Sequence, residues 1–206
     1  MSNLFNNKFF DGLGKAVDVV LMGFYFLICC IPVFTIGASL TSLYYSIHKV
    51  TFRGRGYTTQ FFHAFKSNFK QCTLSWLIFL LTFIVLGCDI YISRNLFTSG
   101  IWAYAGVAFT VFFVIAILWA MYHFAYIARF ENTLKNSFKI SGVLLVIHFG
   151  WSLLIGLITA VALLICYIAP ITIIFMPGIL ACLLHPIFEH IFRKYMSPED
   201  LKKEDD

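Results

Sequence analysis

The sequence predicts an all-α fold, a polytopic bundle of transmembrane helices. Hydrophobic residues make up 60% of its 206 residues and charged residues only 12%. The apolar residues concentrate in five long stretches, and a helix needs about 20 of them to cross a bilayer core. The stretches are 19–47, 73–92, 101–128, 140–166 and 168–188. We therefore expect one integral membrane domain over residues 1–192 and a short charged tail over 193–206.

The first stretch is too long for one helical crossing and too short for two ordinary ones. A single helix over these residues is about 45 Å long at 1.5 Å per residue, against a core of about 30 Å. Pro32 removes a helix hydrogen bond and Gly37 loosens the backbone, so we predict a break that also includes Phe34 and Thr35. The result is either one kinked span with an external N-terminus or a hairpin with an internal one. In both cases the irregular backbone has to be buried in protein or face water.

Phenylalanine and lysine residues ahead of the second stretch follow helical spacing. The phenylalanines share one face and the lysines flank it: Phe61, Phe62, Phe65, Lys66, Phe69 and Lys70. This pattern predicts an amphipathic helix in the cytoplasmic membrane interface. Residues 130–139 resemble 61–70, and Phe5, Phe9 and Leu13 share a face near the N-terminus. We interpret these similarities as a repeat of an interface helix followed by a helical pair.

The basic residues alternate between the connectors and predict the orientation. Five lie in 49–72, one in 93–100, three in 129–139, none near Tyr167 and four in the tail. Positive charge is retained on the cytoplasmic side of membrane proteins, so 49–72, 129–139 and the C-terminus are expected there. The basic connectors suit anionic lipid headgroups rather than nucleic acid.

The third and fourth stretches contain features typical of helix packing and of membrane-embedded polar sites. Ser152, Gly156 and Ala160 recur every four residues, a spacing that lets helices approach closely, either within the bundle or against a partner. Ionisable groups within the apolar stretches are candidates for function; they are Asp89, His123 and His148. The structural alternatives are a histidine hydrogen-bonded to a neighbouring helix and an Asp89–Arg94 pair.

The end of the fifth stretch holds a local cluster of ionisable residues. Glu189 and Arg193 are four residues apart, the spacing of a helix ion pair. His185 and Glu189 share that spacing, but two ligands do not make a metal site. The chain has no recognised nucleotide-binding or catalytic motif. We therefore expect no metal, no cofactor and no enzymatic activity.

Two segments resemble a known family. The run 31–39, with Pro32, Phe34, Thr35 and Gly37, and the run 61–71 are similar to the YesL-like bacterial integral membrane proteins, domain of unknown function 624. The resemblance covers residues 4–75, and the remainder agrees only in hydropathy. It implies the bacterial plasma membrane. Because members are commonly encoded beside carbohydrate ABC-transporter components, it also implies a link to sugar uptake.

Two functions follow from these observations. The first is a non-catalytic accessory or scaffold protein that acts on a membrane partner, a carbohydrate ABC-transporter permease. The second is a small solute transporter or channel-like protein with a path near Pro32–Gly37 and His148, because broken helices mark transport sites in other folds.

Overall fold

The computed structural model describes the backbone of residues 2–53, 58–95 and 101–196, and the side chains of 12–49, 59–95 and 104–196. Within these residues it contains helices and no strand, which confirms the all-α class. The helices are α1 Ser2–Cys29, α2 Ile36–Arg53, α3 Thr58–Asn95, α4 Ile101–Arg129, α5 Leu134–Ile147, α6 Phe149–Ile168 and α7 Met176–Phe192. Short 3-10 turns occupy Val33–Thr35, Pro170–Ile174 and Arg193–Tyr195.

Four of the described helices are long and apolar enough to cross a membrane. The qualifying segments are Gly12–Cys29, Thr59–Asn95, Tyr104–Arg129 and Phe149–Ile168. Large apolar side chains remain exposed along them, as expected for surfaces that face lipid. The chain is therefore a multi-pass membrane protein. Residues 197–206, most of the predicted tail, and the side chains of Phe5 and Phe9 lie outside the described part.

The first apolar stretch is broken where Pro32 and Gly37 predict. α1 ends at Cys29 and α2 begins at Ile36, on the far side of the Val33–Thr35 turn. Met22 of α1 packs with Leu43 and Ile47 of α2. These residues lie on opposite sides of the break and well away from it along the chain, so the two helices run side by side. The structure thus has the hairpin and not the single kinked span.

The second arm of the hairpin, α2, lies at the centre of the bundle although it is rich in serine and threonine. It packs against α1, α3, α4 and α7. The Ser39 and Ser42 hydroxyls donate to carbonyls one turn earlier, at 3.1 and 2.7 Å. Thr41 Oγ1 lies 3.2 Å from Cys72 Sγ of α3. Polar groups away from water need such partners, and the protein supplies them for Ser39, Thr41 and Ser42. The buried Ser46 hydroxyl is an exception on this helix, since it has no hydrogen-bond partner among the described residues.

The predicted interface helix is part of a longer element. α3 has 38 residues, about 57 Å at 1.5 Å per residue, and holds both residues 61–70 and the following span. Phe61 is completely buried beside Leu43 and Ile47, and Phe65 and Phe69 pack against a second core cluster. Phe62 remains half exposed, and Lys66 and Lys70 are exposed. Most of the phenylalanine face therefore contacts protein, where the pattern alone suggested lipid.

The fourth apolar stretch is two helices instead of one. The chain turns at His148, whose φ of −103° and ψ of 41° lie outside the helical region. Only the part after it, α6, is long and apolar enough to span a membrane. Ser152 Oγ lies 3.0 Å from the Leu145 carbonyl oxygen, and so satisfies backbone left open by the turn. The proposed repeat is also uneven, because 130–133 form a connector and α5 begins only at Leu134.

Before the turn, α5 lies across α4. Phe138 and Ser141 of α5 both contact Trp119 and His123 of α4. After the turn, α6 pairs with α7, and the Trp151 and His190 rings lie 5.3 Å apart. α2 also packs against α4 and α7, and Nδ1 of His48 near its end lies 3.0 Å from Nε2 of His185 of α7.

Candidate functional site

Four ionisable side chains meet inside the bundle where α2, α4 and α7 converge. They are His48 from α2, Arg129 from α4, and His185 and Glu189 from α7, and we call them the His–Glu–Arg cluster. His48, His185 and Glu189 are each at most 5% exposed. Charged side chains are rarely buried unless they are paired, so this cluster is the most distinctive polar feature of the described chain.

Glu189 is the centre of the cluster. Arg129 donates to both of its carboxylate oxygens, with Nη2 2.7 Å from Oε1 and Nε 3.2 Å from Oε2. This two-point, charge-assisted geometry is the strongest arrangement available to such a pair. His48 Nδ1 lies 3.5 Å from Glu189 Oε2 and 3.0 Å from His185 Nε2. Arg193 is a weaker neighbour, with Nε 3.9 Å from Oε1 and a side chain 39% exposed.

The local sequence explains only part of this geometry. His185 and Glu189 are four residues apart on α7, so they share one face of the helix. Pro186 between them lies on the exposed side. The Tyr44 and Phe188 rings pack beside the cluster, with the Tyr44 and His185 centroids 5.6 Å apart. Such apolar neighbours strengthen electrostatic interactions by excluding water.

Two kinds of chemistry are available to the cluster. Arg129 and Glu189 form an ion pair, and His48, His185 and Glu189 offer atoms that could coordinate a metal ion. One nitrogen of each histidine and a Glu189 oxygen lie within 4.8 Å of one another. The sequence had indicated a Glu189–Arg193 pair, but the closest cation to Glu189 is Arg129. It had not indicated His48 or Arg129, because no spacing rule relates residues from separate helices.

The predicted break residues form a packed structural motif. The Thr35 hydroxyl lies within hydrogen-bonding distance of the Cys29 and Pro32 carbonyl oxygens. Trp76 Nε1 donates to the Val33 carbonyl oxygen at 2.7 Å. Three carbonyl oxygens at the break are therefore satisfied by protein groups, as membrane burial requires. Phe34 is half exposed.

The three polar candidates of the apolar stretches do not come together. His123 is completely buried, with Nε2 2.9 Å from Ser75 Oγ and Nδ1 3.3 Å from Ser141 Oγ. His123 is therefore hydrogen-bonded to the neighbouring helices α3 and α5, which is the structural alternative considered above. The partners are the serine side chains of those helices. Asp89 accepts the Ser93 hydroxyl through its backbone oxygen, and Arg94 donates to Thr110 at 3.5 Å.

His148 and the break lie on different sides of α4. Gly37 abuts Phe124, whereas Ser152, one turn after His148, bonds the Tyr122 hydroxyl at 3.1 Å. Residues two apart on a helix point in nearly opposite directions. The His148 ring lies beside Tyr195, 5.7 Å between centroids. A single path lined by Pro32–Gly37 and His148 therefore has no geometric basis in the described residues.

The small-residue stripe of α6 is used in part for packing within the bundle. Ser152 is buried, and a Cβ added to Gly156 lies 3.5 Å from the Leu118 side chain of α4. Ala160 is exposed. The first two positions thus hold α6 against α4, and the third remains on the surface.

A cavity of about 280 Å³ lies between α1, α2, α4, α6 and α7. Its lining is almost entirely apolar and includes Phe26, Leu40, Met121, Cys166, Leu180 and Phe188. Neither the break nor the His–Glu–Arg ligand atoms form its wall. An apolar, partly open pocket of this kind suits a hydrocarbon chain and not a hydrated sugar.

These features define a polytopic helical membrane protein with a buried polar cluster. Residues 19–90, about a third of the chain, match the model of a family described as "Protein of unknown function, DUF624". The match confirms the resemblance drawn from the sequence, and it covers the end of α1, the break, α2 with His48 and most of α3. No curated protein and no solved structure matches the chain.

Proposed function

We propose that this protein is a non-catalytic membrane accessory or scaffold subunit, and that its partner is the permease of a carbohydrate ABC transporter. The observation that carries the proposal is the internal use of the polar groups. Ser39, Thr41, Ser42 and His123 bond to the protein itself. The cavity is apolar. A solute path needs polar groups directed at the solute, whereas a scaffold needs a stable bundle with an apolar outer surface.

The second half of α3 and the first half of α4 together supply such an apolar outer surface. Phe83 and Phe113 pair across the two helices with centroids 5.6 Å apart. Apolar side chains around this pair point outwards: Leu81, Ile84, Val85, Val107, Val111 and Phe112. They suit lipid, and they equally suit the apolar helices of a second membrane protein. The permease as partner rests on the family resemblance alone.

Photo-crosslinking in the native membrane tests the proposal. A photoreactive phenylalanine at Leu81 or Val111, both exposed, is expected to capture one permease subunit in stoichiometric yield. The matched control is Phe79, on the same helix but 2% exposed, where crosslinks should stay within the chain. In parallel, the purified protein alone in liposomes should give no sugar flux. Sugar flux by the isolated protein, without a captured permease, would contradict the scaffold function.

We also propose a bacterial plasma-membrane location with the N- and C-termini and both basic connectors in the cytoplasm. Cysteines placed at Ser67 and Asn136, both exposed, should react with a membrane-impermeant thiol reagent only after the cells are opened. A cysteine at Tyr167, which is 84% exposed near the end of α6, should react in intact cells. The unmodified chain gives the background of its native cysteines. Labelling of Ser67→Cys or Asn136→Cys in intact cells would reverse the orientation.

A further inference from the structure

His48, His185 and Glu189 present three ligand atoms to one point inside the bundle. From this juxtaposition we infer that the His–Glu–Arg cluster is a binding site for a divalent first-row transition-metal ion, with Zn²⁺ the best-matched ion. The ligands are His48 Nδ1, His185 Nε2 and a Glu189 carboxylate oxygen. The inference is independent of the scaffold function, and it concerns residues that the family match covers only at His48.

The distances fit the size of the ion. Zinc binds histidine nitrogen and carboxylate oxygen at about 2.0–2.2 Å, so two ligands at a tetrahedral angle lie about 3.3 Å apart. His48 Nδ1 is 3.0 Å from His185 Nε2 and 3.5 Å from Glu189 Oε2, and the whole set lies within 4.8 Å. The two pairs that include His48 Nδ1 are already close to this spacing. The full set spans up to 4.8 Å, so closing the site on an ion requires side-chain movement of up to about 1.5 Å, the difference from the tetrahedral spacing. Three protein ligands leave a fourth position for water.

The donor types select the class of metal. Two imidazole nitrogens and one carboxylate oxygen favour zinc and its neighbours in the first transition row, whereas calcium and magnesium prefer oxygen ligands alone. The ligands come from α2 and from one face of α7, so an ion also joins two helices. Bound metal is therefore expected to stabilise the fold as well as to occupy the site.

Arg129 has two opposing effects on such a site. Its two hydrogen bonds orient the Glu189 carboxylate, which is the role of the outer partners of metal ligands. A carboxylate has about four lone-pair positions, so Oε2 can accept from Arg129 and still coordinate a metal. The positive guanidinium repels the ion at the same time. We expect a weaker affinity than the same three ligands give without an arginine.

The test is Zn²⁺ titration of the full-length protein in detergent after removal of metals with a chelator. The wild-type chain should bind one Zn²⁺ per chain and unfold at a higher temperature when zinc is present. His185→Gln and His48→Gln should each weaken binding by about tenfold or more, because each removes a ligand. The matched control is His190→Gln. His190 follows Glu189 on α7, but its exposed ring lies against Trp151, so this substitution should leave zinc binding unchanged.

A second measurement uses only the wild-type chain and does not depend on the variants folding. Co²⁺ bound by nitrogen and oxygen ligands in a tetrahedral or five-coordinate site should give visible absorption bands that saturate at one ion per chain and vanish when Zn²⁺ is added. The absence of saturable binding to folded wild-type protein overturns the inference. So does equal zinc affinity in the wild-type chain and in both folded histidine variants.

Discussion

Gly37→Ala is expected to destabilise the bundle by about 3 kcal/mol, at the upper end of the cost of overpacking a core. A Cβ at this position lies 2.7 Å from the Cys72 carbonyl oxygen, 2.7 Å from Trp76 Cβ and 2.8 Å from a Phe124 ring carbon. One of these atoms belongs to the α3 backbone and cannot rotate away. The start of α2 therefore has to move off α3, which also disturbs the packing around the break.

Gly87→Ala is the matched control for this prediction. Gly87 lies inside α3, and a Cβ there meets nothing within 4 Å. Alanine favours helix over glycine by up to about 1 kcal/mol, so this variant should be neutral or slightly more stable. Thermal unfolding in one detergent, followed by tryptophan fluorescence, compares the two. Equal midpoints for Gly37→Ala and Gly87→Ala would show that α2 and α3 are not in close contact at the break.

The break itself was predictable because its causes are local. Pro32 cannot donate a helix hydrogen bond, Thr35 can reach nearby carbonyls, and Gly37 permits close approach. All three are visible within six residues of sequence. The pairing of the two arms was not predictable, because a kinked span and a hairpin use the same residues. Contacts between the arms separate them, such as that of Met22 with Leu43 and Ile47.

The helical pattern of 61–70 was also visible, but its surroundings were not. An apolar face at helical spacing shows that one side of a helix is buried, and it does not distinguish lipid from protein. Phe61 has a place inside the bundle only because α1 and α2 bring Met22 and Ile47 to it. The turn at His148 lacks even a local signal, since it contains no proline and continues an apolar run.

The His–Glu–Arg cluster illustrates the same limit for a candidate site. The spacing of His185 and Glu189 placed two members of the cluster on one face of a helix, with Arg193 four residues after Glu189. Arg129 precedes Glu189 by 60 residues, and His48 comes from yet another helix. Their convergence depends on how α2, α4 and α7 pack. No periodicity within a single segment reports it.

Arg129→Met is expected to cost about 3–5 kcal/mol of folding free energy, the usual effect of leaving a buried charge without its partner. The Arg129 and Glu189 side chains are only 9% and 7% exposed, with their closest atoms 2.7 Å apart. Arg193→Met is the control, because that side chain is 39% exposed and its Nε lies 3.9 Å from Glu189. Its loss should cost less than about 1 kcal/mol, as exposed pairs do.

The double variant Arg129→Met/Glu189→Met separates a lost charge partner from lost packing. It removes both charges and fills similar volume, so most of the stability lost in Arg129→Met should return. Unfolding midpoints of the wild-type chain, the three variants above and Glu189→Met, measured without added metal, complete the comparison. If Arg193→Met is as damaging as Arg129→Met, the buried Arg129–Glu189 pair stabilises the fold no more than the exposed Arg193–Glu189 pair does, and the prediction is wrong. If Arg129→Met and Glu189→Met are damaging, Arg193→Met is not, and the double variant recovers, the interaction between helices is the one that holds this end of the bundle.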